Sequence, residues 1–520
     1  MITKKIGLWS VVSILLAIIF ILPTAIIFIE LLKPEGSNWN HVFQVLLPIY
    51  IKNSLILIGG VVTVSSIIGI GTAWLVTQFN FFGKKHIEWL MLMPLIIPTY
   101  IMAYAYSGIF LLLATHNIIP ALDIKNMVSL IFILSFALYP YVYSVCKVSF
   151  SVQNASLLEA SRTMGKSYTT TFFKVALPLS RTAIIGGVSL VIMELLNDYG
   201  AVKYFGIETL TTGIFRTWFS MGDLNTAIHI CAIVLLFVMV LLSTERIQRG
   251  KKTIVETATG SRKLLVRNLK GIKSALTFIT CLLPILFGFI LPTLQIIYWT
   301  VSTAHSVIDT SFFGLIFNTV SLAAGAAILC IIAAVIFNFS KNWETSFLLK
   351  AFTRLSTTGY AIPGAVIAIG ILVPALLIDR HFAAQYSLLN YTIIFLLFAY
   401  LIRFIAVSNN ALESNFKKIS PQLTAASRLM GKNSISTLFK VHLPMVKPGM
   451  ATAFILVFVE VIKELPLTLI LRPFDYNTLA TKCFEMASDE RIAEAGNYAF
   501  VIILAGIIPV FFLNRLENKK

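Results

Sequence analysis

Long apolar stretches separated by short polar segments run through the whole chain. A helix crosses the hydrocarbon core of a membrane with about 20 apolar residues. The stretches are apolar on all sides and do not alternate with polar residues, which favours buried helices over strands. We predict twelve membrane-spanning helices. They lie at 8–31, 54–79, 88–113, 127–149, 182–201, 226–243, 274–300, 317–338, 351–378, 390–410, 449–471 and 496–514.

Composition supports the same class of protein. Of 520 residues, 58% are hydrophobic and only 12% are charged, too few charges to cover the surface of a soluble protein of this length. The first stretch follows Lys4 and Lys5, as in a secretory signal, but its apolar run is long and no clear small-residue cleavage site follows. We therefore expect a retained helix in an all-α polytopic membrane protein.

The distribution of basic residues predicts the orientation. Most of the 41 Lys and Arg fall on the alternate connections that share a side with both termini, and the richest connection is 243–273. Because short basic loops stay in the cytoplasm, we expect both termini to be cytoplasmic. The net charge of +18 then reflects topology and contact with anionic lipid, and no nucleic-acid partner is predicted.

A polar, basic segment occurs twice. "EASRTMGKSYTTTFFKVALPLSR" (159–181) is nearly repeated 266 positions later by "AASRLMGKNSISTLFKVHLPMVK" (425–447). Six spans accompany each copy, so the two halves have parallel topology and their interface is the natural pathway. We predict a first half at 1–245, a basic cytoplasmic linker at 246–272 and a second half at 273–520.

Each repeated segment predicts two short helices joined by a turn. Gly165 permits a positive φ, Ser167 is suited to cap the second helix, and Pro178 and Pro444 are expected to interrupt the chain before the next span. The apolar side chains Met164, Phe172 and Phe173 favour a plug that docks into a groove of another protein. A solvated loop on the membrane surface is the alternative, and the two matched copies favour docking.

The repeated segment resembles the coupling motif of permeases from binding-protein-dependent ATP-binding cassette (ABC) importers. The matching residues are Glu159, Ala160, Ser161, Gly165, Val175, Leu177 and Pro178, and Ala425, Ala426, Ser427, Gly431, Val441, Leu443 and Pro444. The resemblance implies a type I permease fold in a bacterial cell membrane. It also implies two copies of a cytoplasmic ATPase that binds ATP and Mg, an extracytoplasmic solute-binding protein, and no cofactor on this chain. Ala425 stands where the family often has Glu, so the second coupling contact is expected to be weaker or made differently.

Two stretches that follow the repeated segments are similar to those of fused ferric-iron permeases. They cover 193–223 and 459–490. This resemblance implies Fe³⁺ as the cargo, and related permeases leave thiamine, phosphonate, polyamine or another small solute as alternatives. An ion-coupled secondary transporter is disfavoured, because such a protein needs no docking helices for a separate ATPase.

Four carboxylates in these stretches are candidates for the transport pathway. Glu194 and Asp198 are four residues apart, as are Glu460 and Glu464, so each pair is expected on one helix face. Ionisable groups at membrane depth normally face a bundle interior or a wet cavity, and carboxylates suit a hard cation. The alternative is a structural role in which Lys463 neutralises Glu460 or Glu464. Arg403, near the inner end of its span, is expected to extend towards the interface.

Other chemistry is not indicated by the sequence. The five cysteines and seven histidines show no metal-ligand spacing, and neither HExxH nor GxxxxGK[ST] occurs. No metal site, nucleotide site or catalytic set is therefore predicted, and the chain is interpreted as a transport permease with no enzyme activity.

Overall fold

Helices dominate the computed structural model, which describes residues 7–120, 123–152, 161, 163–249, 266–344, 347–356, 359–382 and 392–517. The first part of the chain forms α1 (Leu8–Glu30), α2 (Trp39–Gln78), α3 (Lys84–Ile96), α4 (Thr99–Thr115), α5 (Met127–Val152), α6 (Tyr168–Leu179), α7 (Arg181–Asn197), α8 (Gly200–Tyr204), α9 (Leu210–Phe215) and α10 (Leu224–Arg249). The second part forms α11 (Ile272–Val307), α12 (Thr310–Trp343), α13 (Phe347–Ser356), α14 (Gly364–Phe382), α15 (Thr392–Phe416), α16 (Pro421–Leu429), α17 (Ser434–Ile462), α18 (Pro466–Leu471), α19 (Leu479–Ser488) and α20 (Ile492–Glu517). Two short strands, β1 (Phe79–Asn80) and β2 (Arg267–Asn268), pair in parallel.

The predicted class, an all-α polytopic membrane protein, is confirmed. Within the described residues, eight helices are long and apolar enough to cross a membrane, or up to eleven if each bent pair is one span. The last predicted span corresponds to α20, whose apolar part is Ile492–Ile507. Most of the predicted linker lies outside the described residues, and the proposed division into two halves stays a prediction.

Two predicted spans, 88–113 and 351–378, are not continuous helices. The chain bends by 97° between α3 and α4, and it bends likewise before α14. Pro98 and Pro363 lie at these bends, 265 positions apart. Ile97 is extended (φ −85°, ψ 117°), as expected because a proline disfavours the helical conformation of the residue before it.

The predicted spans 182–201 and 449–471 also end early, which corrects the expectation that each carboxylate pair shares a helix face. α7 ends at Asn197 and Asp198 is extended, with φ −70° and ψ 117°. α17 ends at Ile462, and Pro466 begins the next short helix, α18. Asp198 and Glu464 therefore lie in the breaks between two helices.

The two halves are built alike and pack against each other. α2 packs on α5 in the first half, and α12 packs on α15 in the second. The first helix of each half also contacts the other half. α1 contacts α12, α13 and α14 of the second half, and α11 contacts α3 and α4 of the first half as well as α20 of its own. The broken helices of both halves meet at the centre of this bundle, where their residues line one cavity.

Asp223, which does not line that cavity, joins the N-terminal ends of α2 and α10. It precedes α10, and its carboxylate accepts hydrogen bonds from the Thr226 backbone N–H (2.9 Å) and hydroxyl (2.8 Å). It also accepts from the backbone N–H of Asn38, the residue before α2, at 2.9 Å. Asp223 is therefore both a helix cap and a link between α2 and α10.

We expect Asp223→Ala to lower the free energy of unfolding more than Asp309→Ala does. Loss of a helix cap alone costs roughly 0.5–2 kcal/mol. Asp309 is a matched control, because it caps α12 through the Phe312 N–H at 2.8 Å and no hydrogen bond joins it to another helix in the described part of the chain. Thermal unfolding in detergent measures the difference. Equal losses in the two variants would contradict a linking role for Asp223.

This link also predicts acid sensitivity. Burial would raise the pKa of the Asp223 carboxyl, but hydrogen bonds from Thr226 and Asn38 outweigh burial and lower the pKa below its usual value. Because the pKa is about 3.9 in an unfolded chain, the stabilisation is complete above that pH and is lost as the pH falls through the lower folded value.

Candidate functional site

A cavity of about 80 Å³ lies where the broken helices of the two halves meet. We call it the central cavity. A water molecule needs roughly 10–15 Å³ measured in this way, so the space suits a few waters or a partly hydrated ion. Its polar lining comes from both halves. The residues are Thr99, Tyr100, Tyr141, Glu194, Asn197, Asp198 and Tyr199, and Arg403, Glu460, Lys463 and Glu464.

Glu194 is held by two tyrosines from different halves. Its Oε1 accepts a hydrogen bond from the Tyr360 hydroxyl at 2.8 Å and from the Tyr141 hydroxyl at 3.3 Å. Tyr141 lies on α5, whereas Tyr360 lies at the bend before α14. No salt bridge joins Glu194 to a cation among the residues that the structure describes.

Glu460 is paired differently, although it is equivalent to Glu194 in the sequence repeat. Its carboxylate lies 2.8 Å from the ammonium of Lys463, three residues further along the chain. The Lys463 ammonium also donates to the backbone oxygen of Leu95, at 3.4 Å. Lys463 therefore connects the end of α17 with α3 of the other half.

Asp198 and Glu464 cap the short helices that follow the breaks. Asp198 Oδ1 accepts from the Ala201 N–H at 3.0 Å. The two Glu464 oxygens accept from the N–H groups of Leu467 and Thr468, each at 3.1 Å, and Oε2 also accepts from the Thr468 hydroxyl at 2.9 Å. Because a carboxylate at a helix start meets unpaired N–H groups, these two residues stabilise the breaks themselves.

The two halves approach closely beside these caps. The Gly364 N–H donates to Asn197 Oδ1 at 2.8 Å. A Cβ atom on Gly364 would lie only 2.8 Å from Glu464 Oε1, closer than normal packing allows. Glycine therefore leaves room for the carboxylate of Glu464 in its own half, and the same Cβ would lie 3.3 Å from Asn197 Oδ1 of the other half.

The structure brings all four predicted carboxylates to one cavity, together with two cations. The expectation that Arg403 extends to the membrane interface is wrong. It is only 4% exposed, and its Nη1 donates to the Ile362 oxygen at 3.0 Å. An excess of carboxylates over cations favours a hard cation that prefers oxygen ligands. In the described part of the chain, His, Cys, Asp and Glu form no cluster of three arranged to hold a metal ion.

The repeated segments form the predicted turns. Gly165 has φ +77° and Gly431 has φ +72°. Each turn is closed by a matched pair of hydroxyls, Ser161 with Thr171 at 3.0 Å and Ser427 with Thr437 at 2.7 Å. Ser167 accepts a hydrogen bond from the Thr170 N–H at 3.1 Å, as expected for a cap. Glu159 and Ala160 lie outside the described residues.

Several apolar side chains of these segments are exposed. They include Met164 and Phe173 in the first segment, and Leu429, Met430 and Phe439 in the second. Phe172, expected to be part of the plug, instead packs inward, with its ring 5.1 Å from that of Trp74. Ala425, Ala426, Pro178 and Pro444 are exposed.

Pro444 does not interrupt its helix as expected. α17 continues through it, whereas the first segment bends by 72° between α6 and α7. A π-helical turn at Leu438–His442 ends two residues before Pro444. The first segment has the equivalent turn at Phe172–Ala176, before Pro178, so this turn is common to both segments and does not explain why only the first one bends.

Sequence reasoning missed several residues around the central cavity, among them Asn197, Tyr141, Tyr360 and Gly364. The sequence contained a signal for Asn197, because the repeat with its offset of 266 makes it equivalent to Lys463. Tyr141, Tyr360 and Gly364 had none, because only the packing of the two halves brings them to Glu194, Asn197 and Glu464.

Two segments of the chain, residues 65–252 and 328–518, match a family described as "Binding-protein-dependent transport system inner membrane component". The chain is also similar to an Fe(3+)-transport system permease protein of Haemophilus influenzae. The two are 27% identical over 464 residues, which cover 88% of each chain.

Two further relatives are similar to this chain. A ferric transport system permease protein of Actinobacillus pleuropneumoniae is 22% identical over 554 aligned positions, covering 97% of this chain and 77% of the relative. A sulfate transport system permease protein of Salmonella typhimurium is 25% identical over 144 residues, only 27% of this chain and 52% of the relative.

Proposed function

Because the chain belongs to the family of binding-protein-dependent transport system inner membrane components, we propose that it is the permease of an ATP-driven importer that moves ferric iron into the cytoplasm. The observation that carries this proposal is the central cavity, where four carboxylates from both halves surround a space suited to an ion. Similarity to a ferric permease over 88% of both chains supports the same cargo.

Alternating access fits this arrangement. Lining from both halves means that a relative movement of the halves opens the cavity to one side or the other. Two hydrogen bonds, from Tyr360 to Glu194 and from Gly364 to Asn197, join one half to the other. We propose that they break and re-form during each cycle.

The repeated segments are proposed to couple this movement to two copies of a cytoplasmic ATPase, with both termini in the cytoplasm. Their exposed apolar side chains are suited to grooves in a partner. No phosphate-binding loop occurs in the sequence, so energy is proposed to come from that partner. An extracytoplasmic binding protein would deliver the cargo to the opposite face.

Oxyanions are the main alternative cargo, since a partial relative transports sulfate by its name. Lys463 and Arg403 would suit an anion. Against this alternative, four carboxylates line the same space and repel negative charge. Thiamine or a polyamine is larger than an ion and would need a wider cavity.

The test is transport by purified components. We expect proteoliposomes that contain the permease and its ATPase to accumulate radiolabelled ferric iron from the loaded binding protein only when ATP is supplied. Sulfate offered in place of iron should not accumulate. Uptake by the permease alone, driven by an ion gradient, would show that the ATP-driven assignment is wrong.

A further inference from the structure

The two cations of the central cavity have different partners and different exposure. Arg403 is almost fully buried, bonded to the Ile362 oxygen, and its guanidinium lies 5.5 Å from the centre of the Phe404 ring. The Lys463 side chain is 16% exposed, and its ammonium ends a flexible four-carbon stem. Lys463 is therefore the cation that pairs with one of the four carboxylates, and its stem allows the ammonium to change position.

Lys463 has no counterpart in the first half. The repeat places Asn197 at the equivalent position, and its side chain bonds to the Gly364 N–H. Glu194, the counterpart of Glu460, is bonded to tyrosine hydroxyls instead. The cavity thus contains one carboxylate, Glu194, that is bonded to neutral hydroxyls, and an equivalent one, Glu460, that is paired with the ammonium of Lys463.

We propose that Lys463 is a tethered counter-cation, which occupies Glu460 while the cavity holds no cargo and is displaced when a cation enters. This inference rests on the cation cargo proposed above. An ammonium and a metal cation compete for the same carboxylate oxygens, and they repel each other in a cavity of this size. Entry of the cargo therefore drives Lys463 away from Glu460.

The same competition assists release. When the cargo begins to leave, the ammonium returns to Glu460 and replaces the interaction that the cargo loses. Without it, the free carboxylate of Glu460 would hold the cation more tightly and delay its departure. Lys463 thereby lowers the affinity of the cavity for cargo and shortens the time that cargo stays bound.

The test measures ferric iron binding to purified full-length permease, with ferric citrate as the probe. We expect Lys463→Met to bind iron more tightly. If the ammonium occupies Glu460 for about nine-tenths of the time, its removal lowers the apparent Kd roughly tenfold. Uptake per assembled complex should fall, because release is slower.

Two further variants separate direct competition from other effects. Arg403→Met removes a cation of the same cavity that forms no salt bridge with Glu460, so it should tighten binding less than Lys463→Met. The double variant Glu460→Gln with Lys463→Met should lose most of the increase in iron affinity that Lys463→Met shows, because the carboxylate for which the ammonium and iron compete is absent. An equal gain from Arg403→Met would overturn the proposal.

Stability provides the remaining outcomes. Unchanged or weaker iron binding by well-assembled Lys463→Met would overturn the inference. A third outcome would also overturn it: the single variants Glu460→Gln and Lys463→Met fail to assemble, whereas the double variant assembles and takes up iron like the wild type. The ion pair would then have a structural role. If the wild-type complex transports no iron at all, the proposed cargo is wrong. If the wild type transports iron and Lys463→Met does not change iron binding, only the proposed role of Lys463 is wrong.

Discussion

Gly431→Pro is expected to abolish solute uptake while the protein still inserts in the membrane, and Gly165→Pro is expected to do the same. The two glycines have φ +72° and +77°, whereas proline fixes φ near −65°. The turn must therefore change, and the two short helices of the segment change their relative direction. Misdocking that costs about 1.4 kcal/mol would reduce association with the ATPase roughly tenfold.

Alanine at the same positions is the matched control. No atom lies within 4 Å of the position that a Cβ would take on either glycine, so alanine meets no clash. It carries only the cost of a left-handed conformation, about 1–2 kcal/mol, and should retain most of the uptake. The measurements are uptake, membrane insertion and co-purification of the ATPase. Normal uptake and normal ATPase association in Gly431→Pro would refute the docking role.

The two segments should also differ in sensitivity. Glu159 stands at the motif position where the second segment has Ala425. We therefore expect Glu159→Ala to reduce uptake more than Ala425→Glu does.

Neutralising Glu194 should strongly reduce ferric iron uptake per assembled complex. Glu194→Gln keeps the volume and an acceptor for Tyr360 and Tyr141, and no salt bridge is broken among the described residues. The yield of the complex should therefore stay near that of the wild type. A loss of uptake then reports the lost charge in the cavity.

Glu460→Gln should behave differently, because it leaves the Lys463 ammonium without its carboxylate. Removing one partner of a fully buried ion pair costs about 3–5 kcal/mol in soluble proteins, and this pair should lose less, because its side chains are 16% and 22% exposed. We expect a lower yield of complex, and a companion Lys463→Met change should restore it. Glu88→Gln is a control outside the cavity, since Glu88 pairs with Lys147 at 3.0 Å. Normal uptake per complex in both Glu194→Gln and Glu460→Gln would exclude these two carboxylates from the pathway.

Asp198 and Glu464 are less informative targets than the sequence suggested. Their carboxylates accept hydrogen bonds from the first N–H groups of α8 and α18. Their neutralisation therefore weakens the broken helices and changes the charge at the same time. Uptake alone does not separate the two effects.

The sequence by itself determined the class of protein and its repeated design. Composition and the lengths of the apolar stretches predict a polytopic helical membrane protein, because these properties depend on transfer of each segment from water and not on its neighbours. The 266-residue repeat predicted two equivalent turns, since only glycine readily adopts the positive φ at positions 165 and 431.

Only the tertiary structure decided where the helices break and what surrounds the carboxylates. Hydropathy does not distinguish a continuous span from two helices with a break, so 182–201 was predicted as one helix although it ends at Asn197. The Tyr360 hydroxyl meets Glu194 across 166 positions of the chain, and the Lys463 ammonium meets the Leu95 oxygen across 368. Such contacts depend on how two halves pack against each other, and a pattern local to either half carries no information about them.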